Sequence, residues 1–136
     1  LRFVNAFSRE QLGLAGRRWN DLLQPPYLGV LDEDEIDEES VVKCSVDVER
    51  KLDALAALKL HAGPGFVQRN IRNGNRGQQV QEKEVRFIFD QDVYSTAKVK
   101  VPAVAETLNA LHAHADSVFS DAITTVLHDA MEPEYL

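Results

Sequence analysis

A chain of 136 residues, 44% hydrophobic and 27% charged, is long enough to close one core without disulfides or a metal, and no apolar run approaches the roughly 20 residues of a membrane-spanning helix. Cys44 is the single cysteine, which excludes an internal disulfide and makes one cytoplasmic domain the expectation. The net charge of −7 is local: Asp32, Glu33, Asp34, Glu35, Asp37, Glu38 and Glu39 supply all of it, and the remainder of the chain sums to zero.

Leu1, Phe3, Asn5 and Phe7 alternate with Arg2, Val4 and Ala6, the pattern of a strand with one mostly apolar face. The chain opens on Leu rather than Met, inside this element, so a fragment of a longer protein is expected. Around Gly13, Gly16 and Pro25–Pro26 the pattern breaks into a packed connection. Only Arg17 to Leu23 is long enough there for a short helix, with Trp19, Leu22 and Leu23 inward. The acidic run that follows reads as a solvated loop, lacking the spaced acids and turn glycine of a calcium hand.

Val42, Cys44, Val46 and Val48 alternate with Lys43, Ser45, Asp47 and Glu49, which predicts a half-buried strand with Cys44 as an inert inward thiol. Leu52 to His61 also predicts a strand, cut short by Gly63–Pro64–Gly65. Beyond it, Phe66–Arg72 and Gln78–Asp92 flank Asn73 to Gly77, whose Asn and Gly residues favour the positive φ of a hairpin connection. Arg69, Arg72, Arg76, Lys83 and Arg86 sit on this hairpin, but Glu82 and Glu84 dilute them and no aromatic residue interleaves the tip, so nucleic acid is an unlikely partner.

On the last strand Val85, Phe87, Phe89 and Val93 share the core face, and Glu84, Arg86, Ile88, Asp90 and Asp92 share the other. Asp90 and Asp92 would present paired carboxylates, two ligands without a third for a metal. From Pro102 to Met131 the 3.6-residue period predicts one helix, with Val104, Leu108, Leu111, Ala115, Val118, Phe119, Ala122 and Val126 on its apolar stripe. Thirty residues span about 45 Å, more than the roughly 37 Å width of a compact chain of this length, so the helix should cross the domain, bend or project. Its far end, Ile123, Leu127 and Met131, is where apolar side chains should stay partly wet. His112 and Asp116 lie four apart and can hydrogen-bond, whereas His114 faces away.

Three segments resemble an uncharacterised, sporadically distributed prokaryotic family of longer proteins: Leu1-Arg2-Phe3-Val4-Asn5, Asn20-Asp21-Leu22-Leu23, and Phe89-Asp90-Gln91-Asp92-Val93 followed by Leu111-His112, Phe119 and Ile123. The resemblance departs at Gln91, where the family has an aliphatic residue, and is loose from Glu49 to Glu84. It implies a C-terminal portion lacking an N-terminal half, carries no activity, and draws attention to Asn5, Asp90, Asp92 and His112.

The expected fold is therefore α+β, an antiparallel sheet of about four or five strands packed on one long C-terminal helix. A glycine-rich phosphate loop, a cysteine-pair zinc motif and a nucleophile elbow are absent, so no cofactor or metal is expected. The sequence favours a non-catalytic binding or assembly domain, partnered by a second copy or by the missing half. The alternative is an enzyme or ligand-binding domain whose cleft, built from His112, Asp116, Asp90, Asp92 and Asn5, the missing half would complete.

Overall fold

The computed structural model describes residues 1–66, 68–73, 76–81 and 84–131, with side chains described for 1–66 and 84–131. The alternating segments form strands β1 (Arg2–Phe7), β2 (Val46–Lys51), β3 (Ala56–Gly65), β4 (Gln68–Asn73), β5 (Arg76–Gln81) and β6 (Arg86–Ser95), with helices α1 (Trp19–Leu22), α2 (Val104–Ala122) and α3 (Thr125–Met131). Four strands make one antiparallel sheet in the order β1-β6-β3-β2, and β4 and β5 pair as a separate two-stranded sheet. This is the expected α+β architecture with its long C-terminal helix.

Period-two alternation along β6 puts Phe87, Phe89, Gln91 and Val93 on the helix-covered side, level with Pro64, Ala62, Leu60 and Leu58 of β3. Against them pack Leu111, Ala115, Val118 and Ala122 of α2, and Trp19, Leu22 and Leu23 of the packed connection. The opposite face of the sheet is open and polar.

Four expectations need correction. The strand predicted over Val42 to Val48 begins only at Val46, and Val42 is 99% exposed. The cause lies in the neighbouring strand: a Cβ on Gly63 would meet the Cys44 carbonyl oxygen at 2.3 Å, so the chain crosses close over that glycine and leaves the ladder there. Gly63–Pro64–Gly65 accordingly does not terminate β3 but lies within it, paired with Ile88, Phe87 and Arg86. The single long hairpin divides, because β5 ends at Gln81 while β6 pairs with β1 and β3. Within the predicted tip, Gly74 and Asn75 lie outside the described residues, as does Lys83, and so do the side chains of Arg69, Arg72 and Arg76.

The fourth correction concerns the C-terminal helix. It opens with a 3₁₀ turn at Val101–Ala103, runs as α2, and breaks at Ile123, which turns extended and bridges Leu23. The Gln24 N–H donates to the Ala122 carbonyl at 2.8 Å and the Thr124 N–H donates to Leu22 at 2.9 Å, so the packed connection takes over groups a continuous helix would have paired internally. Of the three residues expected to stay wet, only Met131 is exposed, at 36%. Ile123 and Leu127 are buried, at 8% and 0% exposure, whereas Val104 and Leu108 at the start of α2 are exposed, at 41% and 42%.

Candidate functional site

Among the described residues no strand pairs with the outer edge of β1. Leu1 and Val93 exchange both backbone hydrogen bonds, at 2.7 and 2.8 Å. In an antiparallel pair the bonded residues alternate, so Phe3, Asn5 and Phe7 also turn their N–H and C=O groups toward β6. Arg2, Val4 and Ala6 turn theirs outward, away from the sheet. Of these outward groups the Ala6 carbonyl accepts from Arg86 Nη1 at 3.3 Å.

Beside this edge lies a cleft of about 500 Å³. Four consecutive residues of β1, Arg2 to Asn5, form one wall, and Ala115, Asp116 and Phe119 of α2 form the other, with Gln91 between them. Gln91 is 1% exposed; its Nε2 donates to the Ala115 carbonyl at 3.2 Å, and its Oε1 is buried without a hydrogen-bond partner among the described residues. A buried unpaired acceptor costs about 1–3 kcal/mol.

Of the residues singled out in the sequence, Asn5 and Asp116 line this cleft, and His112 adjoins it. The His112 ring meets Phe3 edge-on at 5.3 Å, and its Nδ1 lies 3.2 Å from Asp116 Oδ2. Both side chains of that pair are well exposed, 60% and 71%, so water rather than a dry pocket surrounds the dyad.

Asp90 and Asp92 are not part of this constellation. They project from the open face, where charged and ionisable side chains cross the sheet strand by strand: Arg2, Asp92, Lys59 and Glu49 in one row, and Asp90, His61 and Asp47 in the next. Asp90 accepts two hydrogen bonds from Arg2, at 3.1 and 2.8 Å, and these bonds, with the carboxylate charge behind them, push the guanidinium above its ordinary pKa. Lys59 Nζ stands 3.8 Å from Glu49, and His61 Nδ1 stands 2.6 Å from Asp47. This is a cross-strand ion-pair lattice. Among the described residues no group of three or more His, Cys, Asp or Glu side chains is placed to hold a metal ion.

Two features escaped the sequence reading. Gln91 occupies the core-facing parity between Phe89 and Val93, a signal that the alternation contained but that its polar side chain obscured. The second is an anchor at the other end of the sheet. The Arg9 guanidinium stacks 3.9 Å above the Trp19 ring and reaches Glu38 at 2.7 Å, and Glu38 also accepts from the Trp19 N–H at 2.7 Å. The acidic run is thus more than a solvated loop, since one of its seven acids turns inward and fastens it. No spacing in the sequence could link residues 9, 19 and 38. Cys44 is half-buried, as expected of a small hydrophobe, with its Sγ 3.5 Å from the Leu28 carbonyl.

Among the described residues no helix is long and apolar enough to cross a membrane. No family model, curated protein or solved structure matches the chain.

Proposed function

We propose that this domain is a binding module that takes up an extended segment along the free edge of β1, rather than a self-contained catalyst. The observation that carries the reading is the cleft whose wall is four consecutive residues of an edge strand, two of them with outward backbone groups. Main-chain hydrogen bonds to such an edge supply affinity for any extended chain, and alternate side chains supply selectivity. In this cleft the inserted side chain would lie between Phe119 and Asp116, near the unpartnered Gln91 Oε1. A donor-bearing residue suits those surroundings. The division of the candidate residues between the cleft and the open face weighs against catalysis, which requires acid, base and substrate to converge.

Val4→Pro tests the reading, because it removes an outward donor and leaves the bonds of Phe3 and Asn5 to β6 in place. A displayed library of random decapeptides should yield binders of the wild-type chain that lose roughly tenfold in affinity, the value of about 1.4 kcal/mol, on Val4→Pro. Equal binding to both proteins, or failure to enrich any binder of a chain that is monomeric, would reject strand addition.

A further inference from the structure

We infer that the segment added to β1 is the β1 strand of a second copy, paired antiparallel about a two-fold axis through Val4, so that two sheets become one of eight strands. This rests on the strand-addition reading and deepens it by naming the partner.

The argument comes from what each free edge would meet in its own copy. On β1 the outward residues are Arg2, Val4 and Ala6, and centring the axis on Val4 uses all three. Val4, 54% exposed, then lies opposite Val4 of the second copy, a β-branched cross-strand pair of the kind that stabilises sheets. Arg2 falls opposite Ala6 of the second copy. Its charge is already paired with Asp90 within its own chain. On the helix-covered side Phe3 faces Asn5 of the second copy, and these side chains enter the cleft beside α2. The Ala6 carbonyl retains a second lone pair beside its bond to Arg86.

The other free edge is guarded. Leu52 N–H donates to Ala56 at 2.9 Å, and counting back by twos leaves Asp47, Glu49 and Lys51 with outward groups on β2. The equivalent two-fold there would set Glu49 against Glu49 of the second copy at its axis, where like charges directly opposite are destabilising, although Asp47 would face Lys51 on either side. Edge strands that are not meant to pair are commonly charged in this way. β1 has no Lys, Pro or Gly, and its single charge is neutralised within the chain.

Sedimentation velocity on the 136-residue chain between roughly 1 and 500 µM should show a monomer–dimer equilibrium. Val4→Pro and Val4→Glu, which sets an acid beside Asp90 on the exposed face and opposes two acids across the axis, should both sediment as monomers over that range with the circular dichroism spectrum of the wild type. In a Cys44→Ser background, Val4→Cys should cross-link under oxidised glutathione, since bonded antiparallel pairs hold Cα atoms about 5.5 Å apart and disulfides need about 4.4–6.8 Å. A wild-type chain that stays monomeric, a dimer indifferent to both Val4→Pro and Val4→Glu, or a Val4→Cys variant that does not cross-link would overturn the inference. If the chain is monomeric yet binds displayed peptides in a Val4→Pro-sensitive manner, the second copy is the wrong partner and strand addition stands. If peptides also fail to bind, both fall.

Discussion

The two edges of the four-stranded sheet have the same backbone opportunity and opposite side-chain chemistry. β2 presents Asp47, Glu49 and Lys51 outward, all exposed, and its carboxylates are engaged with His61 and Lys59 of β3. β1 presents Arg2, Val4 and Ala6, with the arginine tied back to Asp90 and a cleft alongside. Unpaired N–H and C=O groups are a liability at any sheet edge, so the difference shows where this fold excludes another strand and where it leaves room for one. Edge chemistry, not strand order, separates the two.

The comparison requires that no third surface competes with β1, and Leu127 tests that. Leu127 is fully buried in the core, so Leu127→Glu should unfold the domain by more than about 4 kcal/mol, the cost of an unpaired charge in an apolar site, rather than dissociate a folded one. A cooperative, wild-type-like urea transition for Leu127→Glu would mean that the C-terminal helix is a surface after all.

A smaller effect distinguishes the two sides of β1 itself. Asn5 faces Phe89 in the bonded register, so Asn5→Pro removes a ladder hydrogen bond and should cost about 1–3 kcal/mol, whereas Val4→Pro should stay within about 0.5 kcal/mol. Equal shifts in the urea midpoint would show that the inward and outward residues are reversed. For β2, replacing Asp47 and Glu49 together by Val removes the guarding acids and should create a second associating edge, seen as species larger than a dimer in sedimentation. The exposed ion pairs lost with them contribute only about 0–1 kcal/mol each, so melting should change little. A double variant that sediments like the wild type would deny charge its guarding role.

The smallest effect is one of pH, at the turn between β2 and β3. Asp53 accepts from the Leu55 N–H at 2.7 Å and meets His114 Nε2 at 2.7 Å, tying the β2 end of the sheet to α2. The Leu55 amide first, and His114 second, hold its carboxyl below the ordinary carboxylate pKa. A depressed folded-state pKa contributes stability that is complete above the unfolded value of about 3.9 and is lost as pH falls through the folded one. Asp53→Asn should therefore lie slightly below the wild type in urea midpoint at pH 7, with the gap closing below about pH 4. A gap that widens in acid would contradict the assignment.

Local pattern made much of this molecule legible. Alternation at Leu1–Phe7 and Val85–Val93 needs only neighbouring residues to specify a strand and its two faces, and both strands are found with the predicted face inward, except at Leu1 and Val85, which precede β1 and β6 and are exposed. The stripe from Leu111 to Ala122 is equally local, as is the inward set Trp19, Leu22 and Leu23. The pairing of His112 with Asp116 follows from helical spacing alone. Where a residue's fate depends on a distant segment, period carried no information. Val42 alternates as well as Val46 does, yet the ladder stops between them because the chain crosses over Gly63.

The helix stripe shows the same limit in both directions. Leu108 and Leu127 are both apolar residues of one predicted helix, and the sequence placed the first inside and the second at the edge. The sheet extends only under the later turns of α2, which leaves Leu108 wet, and the strap from Asp21 to Gln24 bends the chain at Ile123, which carries Leu127 into the core. The cleft is likewise tertiary in origin. Asn5, Gln91 and Asp116 are 86 and 25 residues apart along the chain, and only the pairing of β1 with β6 under α2 brings them to one groove. Periodicity, written in side-chain order, determined which face each element buries; the partner each edge and end finds is a contact between segments remote in sequence, and only the folded chain decides it.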